Sequence, residues 1–240
     1  MCFFVAQFAK LSQMRMRYWN SVNQNTNAFS ENFIANGFSH PNLLVLSEVD
    51  STTTLHLAQW GLVPLWVKTQ DVAAKVANST LNARAETIFE KKSFTASAKH
   101  SRCIVPVNGF FEWQHSRGKK QPYYIGLKEE DIFSLGGLYS EWTDSTTGVK
   151  SQTFSIITVE ANPLMSTIHN TKKRMPLILH KEDELAWITS STNLSKIESL
   201  LTPFPDAEMK AHPIQPFNPN STTSNHSGII NSIQGFNSLF

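Results

Sequence analysis

Cys2 directly follows the initiator methionine. Removal of Met1 would leave a thiol and an α-amine on adjacent carbons, and the small side chain at position 2 suits such removal. A 1,2-aminothiol condenses with an aldehyde in a way that an internal cysteine does not. Nitrogen attacks first and gives a Schiff base. Sulfur then closes a thiazolidine ring. The α-amine titrates near ~7.7–8.0 and a thiol near ~8.5, so about 10–20 % of the amine is neutral at pH 7. A cysteine at position 2 also occurs with no chemical role, so the rest of the chain decides between the two readings.

Three further side chains supply what aldehyde capture needs. Glu112 sits between Phe111 and Trp113. A carboxylate among aromatics lies either on the wet face of a strand or in a partly apolar site that raises its pKa. In the second case it takes the proton that the amine must lose. His169 can donate and accept protons near neutral pH while a carbinolamine loses water. Asn82 either caps a following helix or holds the sugar or the Cys2 nitrogen through its amide. The chain has no CxxC, no HExxH, no closely spaced His pair and no Gly-rich phosphate loop. Neither a metal nor a cofactor is therefore expected.

The elements that must position these groups read as follows. Residues 1–9 form a strand carrying Cys2, and the Asn-rich stretch 10–40 forms a loop-and-helix excursion. Residues 43–68 alternate apolar and polar side chains around Trp60 and Trp66, and Pro64 marks an edge strand or turn. The composition of Ala83–Lys91 predicts a helix with Asn82 at its N-cap. Strands are expected over 102–108, 110–114, 122–127, 132–138 and 153–160, and helices over 162–168, 181–189 and 193–201. Glu182, Asp183 and Glu184 favour the start of the second of these helices. The irregular alternation predicts an α+β fold: one domain around a barrel-like, largely antiparallel curved sheet with flanking helices.

The chain has 240 residues, 40 % hydrophobic content and a formal net charge of +2. That suffices for a sizeable core, and the global charge says little about partners. Local charge says more. Lys99, Arg102, Arg117, Lys119 and Lys120 cluster, opposed only by Glu112, and Lys172, Lys173 and Arg174 form a second basic run. Such separation makes either a phosphate-attracting face or solvated loops. Cys103, in the run Cys103-Ile104-Val105-Pro106-Val107, reads as a small buried hydrophobe. Two cysteines give no disulfide framework. With no apolar run near the ~18 residues that span a bilayer, a soluble cytoplasmic monomer without a membrane partner is expected. Residues 211–240 carry no Asp, Glu, Lys or Arg. From residue 219 a loosely attached tail is expected, in which Ile229, Ile230, Ile233 and Phe236 can dock.

Five segments in this order resemble the SOS response-associated peptidase family: Met1-Cys2, WGLVPLW from Trp60, NARAET from Asn82, CIVPVNGFFEW from Cys103, and His169 followed by Arg174-Met175-Pro176. The resemblance covers roughly residues 1–218. It implies a domain that removes its own Met1 and crosslinks to abasic sites in single-stranded DNA, with nucleoid association when DNA is damaged. Abasic-site lyase activity is a further possibility that it raises. It makes Cys2 the nucleophile, Asn82 the site amide, Glu112 the proton shuttle and His169 the site histidine. It also implies DNA contacts at Arg84 and Trp60, to which Trp66, Phe4, Arg102, Trp113, Lys172, Lys173 and Arg174 are added as candidates.

Two departures stand out. Many members begin Met-Cys-Gly-Arg, where this chain has Phe3 and Phe4. Either an aromatic stacks on a base in place of the lost cation, or DNA binding is weaker. Many members also read His-Asp-Arg-Met-Pro, and here three residues are inserted after His169. Two rival classes remain: an N-terminal-nucleophile cysteine amidohydrolase, and a single-strand-binding module in which Cys2 is incidental.

Overall fold

Alternating apolar residues between positions 42 and 160 form five strands that close on themselves in a computed structural model of the chain. It describes residues 2–18, 21, 22, 26, 28–49, 51–219 and 221–233. The chain begins with β1 (Phe4–Gln7), α1 (Leu11–Tyr18), β2 (Ser21–Val22) and β3 (Asn32–Asn36). A hairpin of β4 (Asn42–Val49) and β5 (Thr52–Trp60) leads to α2 (Gln70–Ser79), β6 (Asn82–Arg84) and α3 (Thr95–His100). Then come β7 (Arg102–Val107), β8 (Gly109–Ser116), β9 (Lys119–Leu127), β10 (Phe133–Thr143) and β11 (Lys150–Glu160). The described chain continues through α4 (Pro163–Ile168), β12 (Arg174–Pro176), β13 (Ile178–Leu179), α5 (Glu184–Ile188), α6 (Leu194–Ser199) and β14 (Met209–Pro213).

The barrel runs β5–β4–β7–β10–β11 and closes where β11 returns parallel to β5, Thr153 beside Gln59 and Phe154 beside Trp60. A second, antiparallel sheet, β14–β9–β8–β1–β3, lies against it. The fold is mixed α+β, as the alternation predicts. Side chains of period two share one face of these strands, and Val45, Val105, Leu135, Phe154 and Ile156 on it are all buried. Each contributes roughly 1.5–3 kcal/mol of burial. No helix of the described residues is long and apolar enough to cross a membrane.

Two buried amides fix β1, the strand that Cys2 precedes. Gln7 donates through Nε2 to the carbonyls of Leu44 and Pro106 at 2.9 and 2.7 Å, and its Oε1 accepts from the Leu44 N–H at 2.8 Å. The Asn108 Oδ1 accepts from the backbone N–H groups of Phe8 and Ala9. Next to it Gly109 is required, because a Cβ there would come within 2.4 Å of the Tyr124 ring. That ring is held by its own hydroxyl, which donates to the Asn108 carbonyl at 2.8 Å.

The structure corrects several expectations. Asn82 is no helix cap. Residues 82–84 pair parallel with β11, Asn82 beside Ile156, and only a single 3-10 turn, Ala85–Thr87, follows. Ladder pairing with β11 overrides the helical composition of Ala83–Lys91. Residues 43–68 resolve into a hairpin and a following turn. β3 and α2 were not expected at all. The stretch 181–189 divides into a 3-10 turn, Lys181–Asp183, and α5. In the segment after residue 219, where the isoleucines were expected to be able to dock, residues 225–233 make contacts with the body of the domain. Asn225 Oδ1 accepts from the N–H groups of Phe33 and Ile34, Ile229 is buried, and the Ile233 N–H donates to the Pro213 carbonyl. Phe236 lies outside the described residues.

Candidate active site

β1 and β8 are antiparallel neighbours, with Val5 opposite Phe110 and Ala6 opposite Gly109. The same register carried outward sets Phe3 opposite Glu112, beside the head of β1. Cys2 is fully buried there, without a disulfide. Burial pushes its thiol far above the usual range, and the charge of Glu112 pushes in the same direction. Along β8, alternation sends Phe111 and Trp113 to one face and Glu112 to the other. Glu112 is 5 % exposed. Burial raises its carboxyl to about 7, with the charge of the chain's amino end as the main opposing influence. The partly apolar alternative read from Phe111-Glu112-Trp113 is therefore the one the fold adopts.

His169 arrives from another element. Asn162 caps α4, its Oδ1 accepting from the Met165 N–H at 2.8 Å, and Pro163 occupies the first turn. The helix ends after Ile168, so His169 sits at its C-terminal boundary. Its Nδ1–H donates to the Arg174 carbonyl at 2.8 Å. That bond sets the tautomer and makes Nε2 the basic nitrogen. Burial holds the imidazole below its ordinary pKa. The inserted residues form a tight loop pinned to β8: Asn170 Nδ2 donates to the His115 carbonyl, and Asn170 Oδ1 accepts from the His115 N–H. Lys172 and Lys173 are left exposed at its tip.

Phe3, Phe4, Glu112, Trp113, His169 and Lys172 line one cavity of about 560 Å³, together with His115 and Lys120. Phe4 meets Trp113 edge to face, ring centres 5.0 Å apart. Asn82 does not line this cavity. Its segment is joined to the head of β1 through Trp60, whose indole N–H donates to the Leu81 carbonyl at 2.8 Å. The same ring abuts Gly37, and the Gly37 N–H donates to the Phe3 carbonyl at 2.8 Å. Both amide atoms of Asn82 are buried and have no hydrogen-bond partner among the described residues. An unpaired buried amide is costly and is the kind of group a bound ligand satisfies.

Three candidate DNA contacts are structural. Trp60 is fully buried and presents no face to a base. Arg102 is 1 % exposed and donates to the carbonyls of Trp187, Ala98, Lys99 and Thr189. Arg174 is buried, forks onto the Glu86 carboxylate and donates to the Thr158 carbonyl. Arg84 is exposed on the strand beside Thr158. Trp66 is 42 % exposed, with Lys92 over its ring at 4.9 Å. Sequence reasoning passed over Phe38, Glu86 and the cavity-lining role of His115. Their signals, an Asn-Gly turn, one acid among several and an unremarkable histidine, acquire meaning only from the fold.

Known proteins agree with this architecture. Residues 1–217 match the family SOS response associated peptidase (SRAP). The chain is 34 % identical over 212 residues to the Abasic site processing protein YoqW of Bacillus subtilis, covering 84 % of this chain and 91 % of that one. It is 31 % identical over 198 residues to the Abasic site processing protein HMCES of Xenopus tropicalis, covering 74 % of this chain and 55 % of that longer protein. A crystal structure from Bacteroides thetaiotaomicron superposes with a TM-score of 0.89 at 38 % identity, over 97 % of this chain and all of that one. On this evidence the chain belongs to the SOS response associated peptidase (SRAP) family.

Proposed function

We propose that this chain processes abasic sites in single-stranded DNA by covalent capture at Cys2, after the domain has removed Met1. The observation that supports it most is the meeting of Cys2, Glu112 and His169 beside a cavity that also carries Lys120 and Lys172. The names of the relatives point to the same lesion.

The ring-opened sugar presents its C1′ aldehyde. The Cys2 α-amine, in neutral form, attacks that carbon and gives a carbinolamine. Loss of one water leaves a C=N bond. Sγ then adds to the carbon while its proton passes to nitrogen, closing the thiazolidine. Burial keeps the thiol protonated, so nitrogen acts first. Glu112, held at about 7, is matched to accepting the amine proton and returning it to the departing hydroxyl. His169, neutral and oriented by the Arg174 carbonyl, serves as the second proton carrier. The unpaired Asn82 amide holds the sugar or the Cys2 nitrogen. Ring closure saturates the carbon and removes the C=N bond that acts as the electron sink for β-elimination, which shields the strand from cleavage and keeps lyase activity low.

Incubation with an abasic single-stranded oligonucleotide gives an adduct that survives denaturation, and Cys2→Ala gives none. Equal adduct from both proteins overturns the reading. Intact mass of the purified chain reports whether Met1 is gone.

A further inference from the structure

Phe38 is a large aromatic residue left 53 % exposed. It is held firmly. The Asn36 Oδ1 accepts from its N–H at 3.0 Å, and the preceding Gly37 N–H is bound to the Phe3 carbonyl. Its ring lies 4.6 Å from Phe3 and 6.5 Å from Phe4, and Phe4 continues the row to Trp113. The row therefore runs from the active-site cavity out to an exposed ring. Beyond that ring lies a second cavity of about 430 Å³, lined by Asn32, Asn36, Phe38, Pro219, Ser221 and Asn225 among others. Pro219 borders both cavities. Among the described residues the second is lined by no charged side chain, whereas the first carries Lys120 and Lys172.

We infer that Phe38 and the cavity beside it form a subsite for one nucleobase next to the lesion. The exposed face of Phe38 stacks on the base, and the neutral amides and hydroxyls surround its polar edge. Uncharged lining suits a base and not a phosphate, while the lysines of the neighbouring cavity suit phosphate. A preformed aromatic face costs little ordering when it binds. The inference rests on reading the first cavity as the abasic-site pocket.

Binding is tested without crosslinking. Oligonucleotides bear one abasic site, and the nucleotide on its 5′ or its 3′ side is either intact or a tetrahydrofuran spacer, which lacks both base and aldehyde. Affinity for Cys2→Ala protein is read by fluorescence anisotropy. Replacing the base on one flank weakens binding about tenfold, and replacing it on the other does not. Phe38→Ala in the same background weakens binding to the intact oligonucleotide by the same factor and abolishes the difference between spacer and base on that flank. Phe38→Trp retains both the affinity and the difference. Phe38→Ala binding within about twofold of its parent, or a loss that multiplies with base removal, overturns the inference. Wild-type protein that shows the flank effect but forms no adduct overturns the covalent reading instead and leaves the subsite standing.

Discussion

Oε1 of Glu112 lies 3.9 Å from Nδ1 of His169, and that nitrogen already gives its proton to the Arg174 carbonyl at 2.8 Å. The two groups are therefore neighbours that do not share a proton through this contact. Burial moves them in opposite directions, the carboxyl up to about 7 and the imidazole below its ordinary value. Near pH 7 an acid about half protonated faces a largely neutral base. That combination suits a sequence needing proton removal and then proton return.

The raised Glu112 carboxyl makes a signed prediction about stability. Between its ordinary value of 4.5 and about 7 the folded protein holds a proton that the unfolded chain has released. The unfolded state binds fewer protons in that window, so stability falls as pH rises through it. The loss is on the order of 2–3 kcal/mol, and Glu112→Gln removes it. Urea denaturation at pH 5 and pH 8 measures this. Wild type loses stability between the two, and the variant stays flatter. The same substitution slows crosslinking or its reversal and erases an inflection near pH 7 in the rate. Equal slopes and unchanged rates for the two proteins would separate Glu112 from both effects.

Arg174 positions His169 without touching the chemistry. Its carbonyl orients the imidazole, and its guanidinium is clamped by Glu86 and the Thr158 carbonyl. Arg174→Lys keeps the charge and loses the fork. It is expected to destabilise the protein by about 2–3 kcal/mol. Glu86→Gln costs less, about 1 kcal/mol, because that carboxylate is half exposed. With His169 less firmly held, Arg174→Lys lowers the crosslinking rate at saturating DNA more than it changes DNA affinity. A variant that loses affinity alone would make Arg174 a DNA contact after all.

The segments that bring Glu112 and His169 to one cavity, with Cys2 beside it, stood out in the sequence because each holds a chemically specific side chain in a distinctive run. The strands β7 to β11 were legible through their apolar runs. Orientation was not. Arg102 and Trp60 read as DNA contacts because a cation and an indole look alike whether they face water or the core. What decides is whether several carbonyls converge on the guanidinium, and those come from residues 98, 99, 187 and 189. Asn82 likewise has the composition of a helix ahead of it, and only the partner strand β11 draws it into a ladder. The docking of residues 221–233 rests on Asn225 meeting the edge of β3, a contact spanning about 190 positions in the chain.

The burial of Arg102 and Trp60 separates stability from binding. Arg102→Lys leaves carbonyls unsatisfied around a buried charge and is expected to cost about 2–4 kcal/mol. Trp60→Phe removes one of the two donors to the Leu81 carbonyl, leaving the Ile156 N–H, and shrinks a fully buried ring, at a cost of about 1–3 kcal/mol. Neither changes the salt dependence of DNA affinity. Thermal unfolding and anisotropy titrations at several salt concentrations distinguish the outcomes. A reduced salt slope in Arg102→Lys would return that residue to the DNA surface.

Lys120 and Lys172 are the exposed lysines that line the active-site cavity, one from β9 and one from the inserted loop. The insertion thus supplies a cation where the fork of Arg174 is spent on Glu86. If each lysine neutralises one phosphate, replacing it with Ala removes one released counterion. For a single strand the slope of log affinity against log salt then falls by ~0.7 per lysine. The double variant falls by about twice that and binds more weakly at low salt, while at high salt it approaches wild type. Crosslinking at saturating DNA is unchanged, because neither lysine takes part in proton transfer at the aldehyde. An unaltered slope in Lys172→Ala would mean that the inserted loop only braces His169 through the Asn170–His115 pair and carries no DNA.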